Sequence, residues 1–247
     1  RPFHDLYYEW SFGDVGSGVW NTDGESKNEA KGPIAAHVFE TPGQYTVTLD
    51  VKDGVGNIDS QQVMIDVLSN PVGGWTTYYV DSVSGNDLNS GLTSGTAFQT
   101  FGKGISILTS PNTRLLFKRG QSFNTVGAFL ETSVNGPVII GAYFNSDGSD
   151  DINQPRPIII QTLRDNTLIY IKHENWIIKD LYFQGNSGLL GWASAIFIAT
   201  WNGPVKDFLM SNVYVREYAN GFASDFSVLD QRRIFVYDSH FEDIGTP

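Results

Sequence analysis

The chain has 247 residues, of which 40% are hydrophobic and 13% aromatic, enough apolar side chain for one large domain or two smaller ones. Its net charge of −11 excludes a phosphate-backbone partner, because nucleic-acid binding draws its affinity from clustered Lys and Arg. The absence of cysteine excludes disulfides and thiolate metal sites, and no apolar run is long enough to span a membrane.

The first third of the chain has the alternation of a half-buried antiparallel sheet. In YYEWSF the side chains of Tyr8, Trp10 and Phe12 fall on one face, and YTVTLDV (45–51) alternates in the same way. Pro-Gly and Asp-Gly pairs supply the turns, and VMIDV (63–67) predicts a final strand with Val63 facing inward. This pattern predicts a β-sandwich over residues 1–68.

The words WSFGD and HVFETPGQYTVTLDVKDGVGN resemble the polycystic kidney disease (PKD) repeat, an immunoglobulin-like module common in extracellular proteins. Such repeats carry one or two further strands before the Trp strand, so we expect this domain to be incomplete at its N-terminus. His37, beside Val38 and Phe39, is interpreted as a packed strand residue and not as a ligand. The polar stretch SNPVGGW (69–75) is then a linker.

The segment 76–108 predicts a strand, a turn-rich loop and a short helix. The loop after TTYYV is dense in Gly, Asn, Asp and Ser, which tolerate left-handed backbone and bond their own main chain. From about Phe98, the spacing of Phe101, Ile105 and Leu108 indicates one helix that shields the first strand edge of the second domain.

The rest of the chain contains a repeat. The words IIKDLYF, LMSNVYV and FVYDSHF align without gaps and place Asp180, Asn212 and Asp238 in one column, where a strand must bend sharply. A second column aligns LIYIK (168–172), AIFIA (195–199) and GFASD (221–225). Stacked coils of parallel strands, a β-solenoid, fit both columns.

Residues 76–247 resemble the right-handed parallel β-helix domains of the pectate-lyase-like superfamily. This resemblance implies an all-β chain with a short N-terminal capping helix, and the coils are expected to continue beyond Pro247. It also implies a secreted or cell-surface protein whose partner is a polysaccharide, although tailspikes and adhesins share the fold.

The second column suggests a glycan site. Tyr170 and Phe197 form one outward row, and Lys172, Ala199 and Asp225 form the next, with the small Ala as a groove floor. A uronate lyase needs a base beside a group that holds a carboxylate, so the candidate catalytic residues are Lys172 as base, Asp225 at a cation and Arg216 on an acidic sugar. Ordinary solvated surface charges are the alternative interpretation.

Trp192 and Trp201 flank that column and are candidates for stacking on sugar rings, or for covering the coil. The turn NSDGSDD gathers Asp147, Asp150 and Asp151, and crowded oxygen ligands in a loop predict calcium, with a solvated loop as the alternative.

The function predicted from these features is part of an extracellular modular protein that binds or degrades polysaccharide, as a lyase or a glycosidase. A non-catalytic adhesin or scaffold is the alternative. The 247-residue segment itself is expected to be inactive, because an extended sugar chain needs more subsites than these few coils supply.

Overall fold

The computed structural model describes residues 5–20, 24–68, 74–162, 166–185, 193–200, 203–225 and 232–245. The chain divides into two compact units, Arg1–Gly73 and Gly74–Pro247. Nearly all of their regular secondary structure is β-strand, and none of the helices in the described ranges has the length and apolarity needed to cross a membrane.

The first unit contains one four-stranded antiparallel sheet. Its strands are β1 (Leu6–Ser11), β2 (Glu29–Lys31), β3 (Gly43–Asp53) and β4 (Ile58–Val67). They lie in the order β2-β1-β3-β4, and the long β3–β4 hairpin pairs Gly43 with Val67. The predicted sandwich requires a second sheet, and residues 5–20 and 24–68 form only this one.

The core of this unit is small and centres on His37. Its ring stacks on Phe12 with centroids 4.5 Å apart, and its Nε2 lies 3.0 Å from Oδ2 of Asp14. The interpretation of His37 as a packed residue is confirmed, although the residue lies outside any strand.

The inward position predicted for Val63 is wrong. Val63 is 55% exposed, and its neighbour Met64 is 60% exposed. The physical reason is that residues 5–20 and 24–68 form one sheet, so no second sheet packs on the face of β4 that carries Val63.

The second unit opens with β5 (Thr76–Val80), a turn-rich loop with a 3₁₀-helix (Ser94–Thr96), and α1 (Phe101–Ser106). Asp87 fixes the start of α1 by accepting from the backbone N–H of Thr100 at 2.9 Å and from its hydroxyl at 2.7 Å. The helix begins three residues after the predicted Phe98, because Phe98 instead forms a parallel bridge with Val80.

Three parallel sheets make up the remainder of the unit. Sheet A contains β5, β6 (Thr113–Lys118), β9 (Val138–Tyr143), β12 (Trp176–Lys179), β15 (Lys206–Ser211) and β18 (Arg232–Tyr237). Sheet B contains β7 (Ser122–Asn124), β10 (Ile158–Ile160), β13 (Tyr182–Gln184), β16 (Tyr214–Arg216) and β19 (His240–Glu242). Sheet C contains β8 (Leu130–Glu131), β11 (Ile169–Ile171), β14 (Ser194–Ile198) and β17 (Asn220–Ser224).

The chain passes through sheets A, B and C in turn, and each pass pairs with the one before it in parallel register. Side chains of one parity point into the space between the sheets, where Ile169 pairs with Ile196 and Ile196 with Phe222. Each pass therefore extends one apolar core, which includes the fully buried Trp176 and Phe183.

A single left-handed residue makes the turn from sheet A to sheet B. Asp180, Asn212 and Asp238 have φ angles of 60°, 53° and 44°. Lys179, Ser211 and Tyr237, the residues before them, are in register across β12, β15 and β18. The prediction that these three residues occupy one bend in successive passes is confirmed.

Candidate functional site

The outer face of sheet C carries a row of aromatic rings. Tyr170 of β11 pairs with Phe197 of β14, and their ring centroids are 6.0 Å apart. Phe129, just before β8, adds a third ring 6.3 Å from Tyr170, and its side chain is 40% exposed. Ile169 and Ile171 beside Tyr170 are buried, so the strand's alternation turns the rings outward. We call Phe129, Tyr170 and Phe197 the sheet C row.

An ion pair lies beside the sheet C row. Lys172 Nζ is 2.8 Å from Oε2 of Glu131 and 6.0 Å from the ring centroid of Tyr170. Glu131 pairs with Tyr170 from the neighbouring strand β8. Because its ammonium already donates to a carboxylate at this distance, the arrangement of Lys172 suits the binding of a ligand better than the abstraction of a proton.

Glu131 was missed by the sequence analysis. Its strand, β8, has only two residues, Leu130 facing inward and Glu131 facing outward. A pattern of period two cannot be recognised in two residues. The available signal was the continuation of the column 168–172 one coil back, where Glu131 lies beside Tyr170.

The second outward row differs from the prediction. Ala199 and Asp225 occupy equivalent places after β14 and β17, because Ala199 N–H donates to Ile171 O and Asp225 N–H donates to Ile198 O. However, Ala199 is fully buried and cannot form an open groove floor. The strand ends at Ile198, and the alternation that predicted an outward Ala199 holds only inside a strand.

Arg216 belongs to a different face of the molecule. It lies in β16 of sheet B, where its Nε is 3.0 Å from Oδ2 of Asp243 and 3.8 Å from Oε1 of Glu217. The hydrogen bond to Asp243 raises the pKa of the Arg216 guanidinium. The structure thus brings Lys172 and Asp225 to the strand ends of one sheet and places Arg216 on another. Trp192 and Trp201 lie outside the described residues.

The acidic turn uses its carboxylates within the protein. Asp150 binds Arg119 through two hydrogen bonds of 2.6 and 2.8 Å. Asp147 accepts from the N–H and hydroxyl of Ser149, and these hydrogen bonds lower the pKa of Asp147. Asp151 accepts from Asn153 and Gln154, and its pKa is lowered for the same reason.

These three aspartates therefore point to different partners. No group of three His, Cys, Asp or Glu side chains in the described part of the chain is arranged to hold a metal ion. Calcium binding stays a prediction, and it requires the carboxylates to exchange their present partners for the ion.

Comparison with known proteins finds a family match for the first unit and a structural likeness that draws mainly on the second. Residues 3–66 match the family model of the PKD domain, which confirms the resemblance drawn from WSFGD and the Pro-Gly-Gln-Tyr hairpin. No curated protein matches the chain in sequence.

Among solved structures, the GH136 lacto-N-biosidase from Eubacterium ramulus shares the fold. Its native crystal structure aligns with a TM-score of 0.51 and 16% identity, covering 68% of this chain and 34% of that one. Its selenomethionine derivative gives 0.53 and 18% over the same shares. This chain thus spans about a third of the enzyme's length. An alignment over 68% of the chain draws mainly on the second unit, because the first comprises only Arg1–Gly73.

Proposed function

We propose that this chain is part of an exported modular protein that binds glycans and, as a whole, degrades them. The observation that carries the proposal is the sheet C row of Phe129, Tyr170 and Phe197 beside the Lys172–Glu131 ion pair. Sugar rings present apolar faces that stack on aromatic side chains, and their hydroxyls bond to charged groups nearby.

The proposed architecture of the second unit is a right-handed parallel β-helix whose first coil is capped by α1. Three features support it: the order of the sheets, the constant register between passes, and the single left-handed residue at three successive bends from sheet A to sheet B. The cap supports it too, since Phe101 and Ile105 of α1 are buried in the same apolar cluster as Phe117.

Of the two reaction classes, a glycosidase is favoured over a lyase. The fold is shared with a glycoside hydrolase, and Lys172 is engaged by Glu131. A glycosidase needs two carboxyl groups roughly 5 to 9.5 Å apart. Glu131 and Asp225 lie three strand spacings apart on sheet C, roughly 14 Å. The sheet C row is therefore proposed to supply binding subsites, with hydrolysis carried out by carboxylates other than this pair.

Extracellular location belongs to the same proposal, since PKD domains and glycoside-hydrolase-like folds are typical of extracellular proteins. A non-catalytic adhesin or scaffold is the rival function. It predicts that the sheet C row contributes to coil packing and binds no ligand.

Glycan binding by the full chain tests the proposal. Isothermal titration against a panel of neutral and acidic oligosaccharides is compared for the native chain, the double variant Tyr170→Ala/Phe197→Ala and the control Phe235→Ala. Phe235 is an outward aromatic residue on sheet A that is 47% exposed. Its replacement by Ala therefore also removes an exposed aromatic ring, but not one of the sheet C row.

We expect the double variant to weaken binding about tenfold or more, since each stacked ring contributes about 0.5 to 1.5 kcal/mol, and the control to bind normally. If the native chain binds no glycan on the panel, the scaffold function replaces the proposed one.

A further inference from the structure

A second aromatic row lies on the outer face of sheet B. The register of this sheet aligns Tyr182 of β13 with Tyr214 of β16, and Tyr214 with His240 of β19. The Tyr182 and Tyr214 rings meet edge to face at 4.8 Å, and the Tyr214 and His240 rings stack at 4.9 Å with planes 15° apart. Phe183 and Val215, next to the two tyrosines, are fully buried, so the row faces outward. We call Tyr182, Tyr214 and His240 the sheet B row.

A column of planar polar groups runs beside this row. Two residues along each strand, Gln184, Arg216 and Glu242 are aligned by the same register. Tyr182 Oη donates to the Gln184 side chain, which ties the two columns together. An aromatic column next to amide, guanidinium and carboxylate groups offers an apolar platform on one side and hydrogen-bonding partners on the other.

The charge of this surface restricts its ligand. Arg216 is the one cation among the polar column and its turn, against the carboxylates of Glu217, Glu242 and Asp243. Two of those carboxylates already lie within 3.8 Å of the Arg216 guanidinium. A uronate at the polar column would meet a net negative charge and a cation that is already engaged, whereas a neutral sugar meets no such repulsion.

We propose that the sheet B row binds a neutral glycan chain laid along the stacking direction of the coils, at a site separate from the sheet C row. The three rings span two strand spacings, roughly 10 Å, which suits a short oligosaccharide. This proposal takes one premise from the proposed function, namely that the ligand is a glycan. If the rings serve coil packing alone, their removal changes stability and leaves affinity unchanged.

The test measures affinity and stoichiometry of the full chain for neutral oligosaccharides and for oligogalacturonates by isothermal titration. The variants are Tyr214→Ala, Tyr214→Phe and His240→Ala, with Phe235→Ala as the outward aromatic control on sheet A. Tyr214→Phe keeps the ring and its stacking. His240→Ala changes an exposed position at the end of the row, so it keeps the test decisive if Tyr214→Ala does not fold.

We expect Tyr214→Ala and His240→Ala to weaken binding of the neutral ligand about threefold to tenfold, and Tyr214→Phe and the control to bind normally. In the Tyr170→Ala/Phe197→Ala background, the residual binding of neutral ligand should vanish when Tyr214→Ala is added. Unchanged affinity in Tyr214→Ala or in His240→Ala overturns the proposal. Tighter binding of oligogalacturonate than of neutral ligand at this row overturns it as well.

Failure of this inference and failure of the proposed function are distinguishable. Binding that is lost with the sheet C variants and kept with the sheet B variants removes the second site and leaves the function standing. Binding that is lost only with the sheet B variants moves the site to sheet B. The absence of all glycan binding removes both.

Discussion

Arg119 is a buried cation held by the acidic turn. Its guanidinium forms two hydrogen bonds to Asp150 and lies 3.6 Å from Oδ1 of Asp180, two coils further along. Burial alone would lower the pKa of Arg119, but the hydrogen bond and charge of Asp150, with Asp180, outweigh it and raise that pKa. Asp150 thus acts as a structural counter-ion that joins the loop to the row of bends.

Asp150→Ala should lower the free energy of unfolding by about 2 kcal/mol, because it leaves the buried Arg119 guanidinium with only two weaker partners, Asp180 Oδ1 at 3.6 Å and the backbone oxygen of Gln154 at 3.3 Å. Asp147→Ala, in the same turn, is the matched control and should cost under about 0.5 kcal/mol, since Asp147 bonds only its own exposed loop. Chemical denaturation measures both, with calcium and with chelator.

The same pair of variants tests calcium. If the acidic turn binds the ion, calcium raises the melting temperature of the native chain and Asp147→Ala removes most of that rise. Equal melting of the native chain with calcium and with chelator would contradict the calcium prediction and leave the structural role of Asp150 intact.

Asp81, also buried, should make the second unit acid-sensitive. Burial would raise its pKa, but Lys118 at 2.7 Å and hydrogen bonds from Ser84 and Gln121 lower it. Because the folded-state pKa lies below the unfolded one, the stabilisation is complete above the unfolded value of about 3.9 and is lost as pH falls through the folded value.

Asp81→Asn should therefore cost about 1 to 3 kcal/mol at pH 7 and progressively less below about pH 4. Urea denaturation of the native chain and the variant across this range measures the difference. A difference that stays constant down to pH 2 would show that the carboxylate charge contributes nothing.

At the scale of elements, the bends between sheets A and B form a ladder. Asn212 Nδ2 donates to Oδ1 of Asp180 at 2.7 Å, and Arg156 Nε donates to the backbone oxygen of Asn212 at 2.9 Å. Asn and Asp suit these positions for two reasons. They tolerate positive φ, and their side chains can form hydrogen bonds to the neighbouring bend.

Two variants of Asn212 separate these contributions. Asn212→Gly keeps the left-handed backbone and loses the side-chain hydrogen bonds, whereas Asn212→Ala loses both. We expect Ala to be about 1 kcal/mol less stable than Gly, and Gly about 1 kcal/mol less stable than the native chain, in urea denaturation. Ala as stable as Gly would contradict a role for the φ of 53°.

The same elements show what the sequence could predict. Long apolar words such as LMSNVYV predicted strands, bend and register correctly, because a repeated bend and a repeated core leave a repeated pattern. Strands of two or three residues, such as β8, carry too little pattern, so Glu131 was missed. Ala199 was misplaced because alternation stops where the strand stops.

At the scale of the whole molecule, the prediction of the site required two assignments for each side chain: the coil it belongs to and the sheet it lies on. Lys172 directly follows the short strand β11 and Arg216 ends the short strand β16, and nothing in either word distinguishes sheet C from sheet B. That assignment follows from loop lengths, which differ between coils. The structure consequently separates the predicted catalytic residues and yields two aromatic rows in their place.

The two units differ greatly in the size of their hydrophobic cores. Between residues 5–20 and 24–68 the buried hydrophobic side chains are Phe12 and Val47, whereas the second unit buries an apolar cluster that runs from Val80 to Tyr218. Hydrophobic burial is the dominant favourable term in folding, so the first unit should unfold at the lower temperature.

Calorimetry of the full chain should therefore show two transitions. Val47→Ala should shift only the lower one, because it removes buried methyl groups from the first unit, at a cost of about 2 kcal/mol. Ile178→Ala, at a fully buried position on β12, should shift only the upper one, by about 3 kcal/mol. These two substitutions control for each other, since each is a large-to-small change in a different unit. A single cooperative transition that both substitutions lower would mean that the units depend on one another for their stability.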